Sequence, residues 1–433
     1  MSKVTNQSSG KKQTKKTISR ISSIKYPYQK EWDVSKTHVT FDVKNILLSI
    51  MNGIRRTIMS DVKTFGVKTM PYKQSMVQFI KNSSPLHDQI IAHRIGLLPI
   101  HITDQNFQID DYEFSIDVTN KENKFRDITT NDIQIMKISD GTFLKKEEVQ
   151  KIFPKDPLLG TDIIITKLRP VYSINKTMFS NINGESSNYL NFHIKFKAAL
   201  GSGSENACFH PQSAISCIFK EDPEQVDLER EKFIKSETEK YKADNLTPKS
   251  KEELVKFFDT THKERYYYKN EEGEPYYFEY LIESVGPVPP LVIFHRGIQA
   301  LIDRVTNFEI NLKSENSNII SVSPSRNINN GLEFKITNEN DTLGNLIQDY
   351  IFNKFCNNQD EEKNIVSYVG YKRTHPLEEF ILFNIVSIKY REPMEVVTNI
   401  FIPVCQAIVR KLKILQNELE ETNEYISELK SIK

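Results

Sequence analysis

One order of elements occurs twice in this chain, and it limits the possible folds more than any other feature of the sequence. An alternating strand is followed by an amphipathic helix, and later by a second strand, a proline and a long amphipathic helix. A helix with one apolar face is stable in water only when that face packs against another element. The duplication therefore predicts an α+β fold in which two similar units pair within one chain as an internal pseudo-dimer.

The first unit is predicted from two strands and two helices. Residues 37–43 and 276–284 have strand character, and a helix is expected at about 45–59. A longer helix should begin at Pro289–Pro290, because proline suits a first helical turn, in which its missing N–H would have no partner. The predicted apolar faces comprise Ile46, Leu47, Ile50, Ile54 and Ile58 in the first helix and Leu291, Ile298, Leu301, Ile302, Val305 and Phe308 in the second.

The second unit repeats this order. Residues 331–337 and 379–388 read as strands, with a helix at about 342–355 between them. Pro393 opens a helix predicted to run to about residue 430, which Pro403 should kink or restart. The apolar faces comprise Leu343, Leu346, Ile347, Tyr350 and Ile351 in the shorter helix and Val397, Phe401, Val404, Ile408, Leu412, Leu415, Leu419, Ile426 and Leu429 in the longer one. Alternating steps of three and four predict that the longer helix packs against another helix.

Three segments differ from the rest in composition. Residues 1–30 contain eight Lys and Arg and no acid, which predicts a disordered basic tail and leaves open an arm that binds nucleic acid or directs localisation. Residues 221–264 are rich in Glu, Asp and Lys, and should form exposed helix in an insertion. Residues 311–327 are rich in Asn and Ser and read as a linker between two folded units.

The overall composition excludes several classes of protein. The formal net charge of +1 gives no global field of the kind that marks a polyanion binder. No apolar stretch approaches the roughly 20 residues of a membrane span, so we expect a soluble intracellular protein without membrane contact. The four cysteines have no CxxC spacing, and we expect free, mostly buried thiols and no metal site. Cys208 and His210 are the nearest approach to a ligand pair.

Four motifs of the first half resemble the assembly-platform subunit of multi-subunit RNA polymerases, represented by the bacterial alpha N-terminal domain, the archaeal D subunit and the third-largest subunit of eukaryotic polymerase II. They are NGIRRTIMSDV at 52–62, SPLHDQIIAHRIGLLPI at 84–100, ALGSGSENACFHP at 199–211 and FEYLIESVGPVPPLVIFHRGIQAL at 278–301. The first is similar to an asparagine and Leu-Arg-Arg pattern of that family. The second is similar to its Ile-Ala-His-Arg, Leu-Gly-Leu-Ile-Pro signature.

Two motifs of the second half resemble the smaller partner of that subunit, the archaeal L subunit and the eleventh subunit of polymerase II. They are NDTLGN at 340–345 and GYKRTHPLE at 370–378. Together the resemblance covers about residues 32–430. Cellular relatives keep the two partners as separate chains, and the single-chain fusion resembles the arrangement in nucleocytoplasmic large DNA viruses.

The resemblance implies a division into domains. We expect two dimerisation units of the alpha/D/L type, fused as an intramolecular pseudo-heterodimer, with a β-rich domain inserted in the first. The expected boundaries are 1–30 for the basic tail, 31–66 plus 273–312 for the first dimerisation domain, 67–272 for the inserted domain, 313–330 for the linker and 331–433 for the second dimerisation domain.

The resemblance also implies a function. The chain should be a non-catalytic scaffold without a cofactor, which docks the largest and second-largest polymerase subunits and a small zinc-binding subunit and meets DNA only through the complex. The sequence has no GxxxxGK[ST], GxGxxG, HExxH or GxSxG motif of its own. Its location would be the virion and host cytoplasm if it is viral, and otherwise the nucleus. The alternative is a free-standing nucleic-acid-binding protein that uses the basic tail.

The residues expected to contact other subunits lie on the first helix and in the 84–100 motif. The simplest interpretation of Arg55 and Arg56 is that both are solvated. In the relatives, however, this helix faces the large subunits, and arginine pairs bidentately with carboxylates. In the second motif, Ser84 should cap a helix whose buried face includes Ile90, and Gly96 should take a left-handed C-terminal conformation. The expected subunit contacts are Arg55, Arg56, His93, Arg94 and Gly96.

The pairing of the two units is expected to depend on apolar helix faces and small residues. Gly344 would destabilise an ordinary helix by about 1 kcal/mol, and it makes sense where another helix crosses closely. Gly53 and Gly297 are interpreted in the same way, as small residues where two helices cross closely. Thr342 should act as a helix cap and Asn345 should bond a neighbouring backbone. The predicted pseudo-dimer interface comprises Ile50, Ile54, Ile298, Leu301, Leu343, Gly344, Asn345, Leu346, Ile408 and Leu412.

Overall fold

The computed structural model describes residues 20–28, 36–171, 189–243, 250–314, 319–325, 328–358 and 361–432. In these ranges the strands are β1 (Ile21–Lys25), β2 (His38–Lys44), β3 (Lys63–Gly66), β4 (Val77–Asn82), β5 (Tyr112–Asn120), β6 (Arg126–Thr129), β7 (Ile133–Lys137), β8 (Ile164–Leu168), β9 (Leu190–Phe196), β10 (Ala199–Ser202), β11 (Gln212–Phe219), β12 (Tyr277–Ser284), β13 (Ile320–Pro324), β14 (Leu332–Thr337), β15 (Val366–Lys372) and β16 (Phe380–Ser387).

The helices in the same ranges are α1 (Leu48–Ser60), α2 (Asp88–Gly96), α3 (Lys146–Ile152), α4 (Pro223–Ala243), α5 (Lys251–Thr261), α6 (Pro290–Lys313), α7 (Asp341–Ile351), α8 (Pro393–Val396), α9 (Ile402–Glu420) and α10 (Asn423–Ile432). None of them is long and apolar enough to cross a membrane. The strands and long helices predicted in both halves are confirmed to within a few residues, apart from the C-terminal helix.

Two four-stranded antiparallel sheets have matching orders. The first runs β1-β2-β12-β11 and the second β13-β14-β16-β15. In each sheet the two central strands lead into the helices that cover the sheet: β2 precedes α1 and β12 precedes α6, while β14 precedes α7 and β16 precedes α8 and α9. Alternation explains the packing, since every second side chain of β12 is buried. Each sheet therefore has one face covered by its own pair of helices.

The helices of both halves share one core. The buried cluster extends without interruption from the first sheet through α1 and α6 to α7, α9 and the second sheet. Each fully buried Ile or Leu stabilises the fold by roughly 1.5–3 kcal/mol. Nine of the ten residues predicted for the interface are buried in this region, namely Ile50, Ile54, Ile298, Leu301, Leu343, Gly344, Leu346, Ile408 and Leu412. The prediction for Asn345 is wrong, because its side chain is exposed on the opposite side of α7.

The inserted domain has a second core of its own. Its main sheet has the order β4-β9-β5-β7, and two-stranded sheets β10-β3 and β6-β8 flank it. The predicted boundary at residue 272 is wrong, since β11 returns to the first sheet, where it pairs with β12. Within residues 221–264, predicted as exposed helix, the described part forms α4 and α5, and Arg230 Nε of α4 donates to Asp259 Oδ1 of α5 at 3.0 Å.

Two further boundaries differ from the sequence-based prediction. Part of the predicted tail is ordered, because β1 pairs with β2 and buries Ile21 opposite Val43. Residues 1–19 and 29–30 of that tail lie outside the described residues. The linker predicted at 313–330 contains β13, which pairs with β14 as part of the second sheet. Both segments have a polar composition, which does not predict a strand. Each nevertheless forms a short strand at a sheet edge, where only one side of the backbone pairs with another strand.

The long C-terminal helix departs from regular α-helical geometry at two places. Residues Val397–Phe401 form a π-helical turn, and α9 follows with Pro403 in its first turn. Phe401 and Ile402 keep helical backbone angles, so the helix does not restart at that proline but continues through the π-helical turn. The predicted continuation to residue 430 is wrong. The chain turns at 421–422, where Thr422 Oγ1 accepts from Tyr425 N at 3.4 Å and α10 begins. This turn shifts the buried face, so Ile426 is exposed while Tyr425 and Glu428 are buried.

Candidate subunit interface

Helix α1 has a polar stripe on the side opposite its buried isoleucines. Arg55 is half-buried, and its Nε donates to Asn52 Oδ1 at 3.0 Å, while Nη1 lies 3.6 Å from Met59 Sδ. Neither of these partners is a carboxylate, so neither balances the positive charge of the guanidinium. A charged group with free donors on an outward face can pair with a carboxylate of another chain.

Arg56 lies on a different side of α1 and points into the molecule. Its Nε donates to Thr342 Oγ1 at 2.7 Å, in the first turn of α7. A second contact joins the same helices, since Ser49 Oγ donates to Asp349 Oδ2. Thr342 is not the helix cap that the sequence predicted, because Asn340 caps α7 by accepting from Thr342 N at 2.9 Å. Arg56 therefore joins the two halves of the chain.

A partly buried ion cluster, which the sequence does not predict, also joins the halves. Arg304 of α6 contacts Glu339 Oε2 at 2.6 Å and Asp61 Oδ2 at 3.3 Å. Asp61 follows α1 and Glu339 precedes α7, so one side chain connects three helices. Burial raises the pKa of Glu339, and the charge of Arg304 opposes this. The three residues are up to 278 positions apart in sequence, and no spacing rule relates them.

The 84–100 motif forms α2, with a different cap and face from those predicted. His87 caps the helix by accepting from Gln89 N at 3.4 Å, and the Ser84 hydroxyl donates to Leu86 O instead. Ile91 and Ile95 are buried, but Ile90 is half exposed. The cap lies three residues later than predicted, because Asn82 and Asp88 bond each other at 2.7 Å and hold the preceding turn open.

Gly96 is the last residue of α2, and its backbone is not left-handed as predicted. It lies so close to the neighbouring chain that an added Cβ would be 3.1 Å from Thr69 Oγ1 and 3.2 Å from Val67 O. Contacts this short are tighter than most Cβ contacts, so a side chain at this position would push residues 67–69 away by a few tenths of an ångström. Gly96 therefore fixes the approach of α2 to residues 67–69.

The exposed side of α2 presents an apolar and basic surface. His93 and Arg94 are exposed, and Leu97, just after the helix, is 73% exposed. The Nη2 atom of Arg94 donates to Ile164 O at 2.9 Å and holds α2 against β8. Ile163 and Ile164 are also exposed beside it. Clustered apolar side chains on a surface are typical of a protein–protein contact.

The glycines of the paired helices have two different neighbours. An added Cβ at Gly297 of α6 would overlap the Ile58 side chain of α1, and at Gly53 it would be 3.4 Å from Leu301 Cδ2. Both glycines lie at the predicted α1–α6 crossing. At Gly344 the added Cβ would be 2.6 Å from the Tyr371 ring of β15, so the helix crossing predicted there is wrong and a strand residue takes its place.

Comparison with known proteins agrees with this arrangement of helices and sheets. The family profile described as the RNA polymerase Rpb3/Rpb11 dimerisation domain matches residues 40–305, which is more than half of the chain. The chain belongs to this Rpb3/Rpb11 family. The matched range begins in β2 and ends in α6, so it includes both α1 and the inserted domain.

Individual relatives of this Rpb3/Rpb11-family chain are distant. The DNA-directed RNA polymerase subunit Rpo3 of Pyrococcus horikoshii is 35% identical over 75 residues, 17% of this chain and 26% of the relative. Subunit RPAC1 of the human RNA polymerases I and III is 25% identical over 175 residues, 35% of this chain and 49% of the relative. RNA polymerase II subunit RPB3 of Schizosaccharomyces pombe is 22% identical over 308 residues, 67% of this chain and 89% of the relative. The chain thus spans about a quarter of the archaeal relative and about half of the human one.

The residues predicted to contact other subunits divide into two groups in this Rpb3/Rpb11-family fold. Arg55 and His93 each have a donor with no partner among the described residues, and His93 is exposed. Arg56, Arg94 and Gly96 contact other parts of their own chain, at Thr342, Ile164 and Thr69 respectively. The second group positions the surfaces on which the first group lies.

The cysteines of the chain are free thiols at separate places. Cys405 is buried, Cys208, Cys217 and Cys356 are partly buried, and burial raises the pKa of each. In the ranges that the structure describes, no three His, Cys, Asp or Glu side chains form a group that could hold a metal ion. The expectation of a metal-free chain stays a prediction.

Proposed function

We propose that the chain is a non-catalytic assembly-platform subunit of a multi-subunit DNA-directed RNA polymerase. The observation that carries this proposal is the shared core of α1, α6, α7 and α9, in a chain of the Rpb3/Rpb11 family. Such a core gives two sheets a fixed relative position and leaves their outward surfaces free for other subunits. The relatives that carry polymerase names support the same reading.

The second part of the proposal is that one chain supplies both members of a dimerisation pair. The matching sheet orders and the contacts of Arg56 and Arg304 across the halves support it. Covalent linkage makes the pairing intramolecular, at an effective concentration on the order of mM. Pairing then does not depend on the amount of a separate partner.

We further propose that the largest and second-largest polymerase subunits and a small zinc-binding subunit dock on the outward surfaces. The candidates are the α1 stripe around Arg55 and the α2 surface formed by Ile90, His93 and Leu97. Residence in the virion and host cytoplasm, or in the nucleus, stays a prediction.

Purification of the tagged chain from its own cells tests this function. Mass spectrometry of the native complex should find the two large polymerase subunits at one copy per tagged chain. Recovery of the chain without them would contradict the proposal.

A free-standing nucleic-acid-binding protein is the alternative function. It would bind DNA or RNA in isolation, with an affinity that falls steeply as salt rises, because phosphate contacts release counterions. The basic residues on which this depends lie mainly at 1–19, outside the described residues. A filter-binding titration of the isolated chain at two salt concentrations separates the two functions.

A further inference from the structure

Strand β11 is an outer strand of the first sheet and pairs with β12 alone among the described residues. Lys220 N donates to Tyr277 O at 3.0 Å just beyond the paired residues, and this bond fixes which residues of β11 face β12. In an antiparallel pair, residues alternate between positions that bond the partner strand and positions that do not. The backbone N–H and C=O groups that point away from β12 are therefore those of Ile215, Cys217 and Phe219.

The outward edge of β11 is open, whereas the outer strands of the second sheet are partly closed. The outward backbone groups of β11 have no backbone partner among the described residues. In β15, the Tyr371 N–H already donates to Gln348 Oε1 at 2.9 Å, and β13 ends in Pro324, which has no N–H. An unpaired strand edge is a template for another strand, and β11 offers one eight residues long.

A groove of about 650 Å3 lies at the end of this edge. Its wall consists of residues 217–219 of β11 and residues 220, 221, 223, 264 and 279. Ile218 in this wall is 53% exposed. A strand paired with β11 lies about 4.8 Å from it, so a chain in this position passes along the groove and contacts Ile218.

The charges along the open edge differ between its two parts. Burial raises the pKa of the Cys217 thiol to about 12, and the charge of Arg55 is close enough to oppose this shift. In the groove, Lys220 and Lys263 each pair with one of the three carboxylates, and Glu264 has no ion pair among the described residues. A segment that fits both parts has an acidic side chain near Arg55 and a basic one near Glu264.

We propose that an extended segment of another protein chain pairs with β11 and becomes the fifth strand of the first sheet. Its main chain exchanges hydrogen bonds with Ile215, Cys217 and Phe219, and its charged side chains pair with Arg55 and Glu264. Main-chain bonds of this kind supply affinity, and the side chains beside them supply specificity. The identity of that chain as a polymerase subunit rests on the proposed function. The partner then covers the α1 stripe and the neighbouring sheet edge together.

Hydrogen exchange of individual amides, in the isolated chain and in the native complex, tests the pairing. In the isolated chain, the amides of Ile215, Cys217 and Phe219 should exchange about 100-fold faster than those of Ser216 and Ile218, which bond β12. In the complex the three outward amides should slow by about 100-fold, because an added strand gives each of them an acceptor. Unchanged exchange of these amides in a complex that contains polymerase subunits would overturn the strand pairing and leave the proposed function standing.

A matched pair of charge reversals tests the groove. Glu264 and Glu231 are both exposed and have no ion pair among the described residues, but only Glu264 lines the groove. Glu264→Lys should reduce the recovery of a polymerase subunit about threefold or more, because two basic groups then meet, and Glu231→Lys should leave recovery unchanged. Thermal unfolding should show that both variants are folded. Equal recovery by the two variants would overturn the assignment of the groove to the partner.

Two further outcomes identify other causes. Slow exchange of the outward amides in the isolated chain, increasing with its concentration, would show that β11 pairs with a second copy of this chain and would overturn the proposal. If the wild-type chain recovers no polymerase subunit, the proposed function fails, and the strand pairing that rests on it fails as well.

Discussion

Adjacent arginines on α1 have different roles because a helix separates neighbouring side chains by about 100°. Arg55 bonds within its own helix and keeps an outward charge, whereas Arg56 bonds Thr342 of the other half. A double substitution would mix loss of docking with loss of internal pairing, so the two residues have to be changed one at a time.

Replacement of Arg55 alone should impair docking and leave folding intact. Arg55→Ala removes no contact between the halves, so the melting temperature should change little. If a large subunit pairs with this guanidinium, the loss of about 1.5–3 kcal/mol per charged hydrogen bond should reduce co-purification tenfold or more. Arg410→Ala, which removes an exposed arginine of α9, is the control. Equal recovery of the large subunits by both variants would show that Arg55 is a solvated residue.

The two glycines at the α1–α6 crossing should respond oppositely to alanine. At Gly297 the new Cβ would overlap Ile58, and overpacking should destabilise the fold by about 1–3 kcal/mol. At Gly53 the new Cβ would be in ordinary contact, 3.4 Å from Leu301, so the better helix propensity of alanine should stabilise the fold by up to about 1 kcal/mol. Denaturant unfolding of Gly297→Ala and Gly53→Ala measures both. A gain in stability at Gly297 would contradict this view of the crossing.

The elements differ in how far the sequence predicted them. The period of the apolar residues and the positions of the prolines predicted α1, α6, α7 and the start of α9. A long apolar stripe with helical period is compatible with few other structures. The same rules failed at α2, whose cap depends on the contact between Asn82 and Asp88. They also missed the turn at 421–422, where the apolar pattern continues but Thr422 restarts the helix.

Contacts between distant residues explain most of the remaining failures. The local sequence around Gly344 predicts a helix crossing, yet the nearest neighbour of this glycine is the ring of Tyr371 in a strand. In the sequence, nothing distinguishes Arg304 from other polar residues of a helix. Only the fold brings Asp61 and Glu339 into contact with it. Local patterns carry no information about such partners, which only the tertiary fold brings together.

Helix α10 is held by a buried carboxylate that should make stability depend on pH. Glu428 accepts from Leu291 N at 2.9 Å, Val292 N at 3.3 Å and the Tyr26 hydroxyl at 2.8 Å. Burial outweighs these bonds and raises the pKa of Glu428 to about 7. Because the folded state then binds a proton more tightly than the unfolded chain does, the free energy of unfolding should fall as pH rises from about 4.5 to 7.

Glu428→Gln isolates this effect. One pKa unit corresponds to 1.36 kcal/mol, so between pH 5 and pH 8 the wild-type chain should lose about 2–3 kcal/mol relative to the glutamine variant. Other titrating groups, such as His101, whose pKa burial lowers to about 4, are present in both chains and cancel. Parallel pH profiles of unfolding for the two chains would rule out Glu428 as the source.

At the scale of the whole molecule, the two halves depend on each other. Faces of α6 and α9 that would be exposed in separate halves are buried together, and the ion cluster of Arg304 lies at the same junction. An exposed apolar surface of this extent favours association over an isolated folded half.

Chains cut in the connection between α6 and β13 should therefore re-associate. Residues 1–314 and 319–433, expressed separately and mixed, are expected to form a one-to-one complex in size-exclusion chromatography. Arg304→Ala in the first fragment should weaken the complex, because it leaves the partly buried Glu339 without its partner charge. Two stable monomers that do not bind would contradict the internal pseudo-dimer.

Metal content is a further whole-molecule prediction. With no ligand cluster in the described ranges, the purified chain should hold no stoichiometric zinc or iron. Elemental analysis after treatment with a chelator, and again without it, measures this. About one metal ion per chain would overturn the prediction, and Cys208, His210 and Cys217 would be the first residues to replace.

The contacts of β1 with the C-terminal helices have a consequence for synthesis on the ribosome. Arg20 bonds Glu418 across 398 positions, and Tyr26 bonds Glu428 across 402. At a translation rate of about 5–20 residues per second, Tyr26 is made roughly 20–80 s before its partner. During that interval the amides of Leu291 and Val292 also lack the carboxylate that later pairs with them. The residues that flank β1 can therefore complete these contacts only after synthesis has passed Glu428, long after the strands of the first sheet have been made.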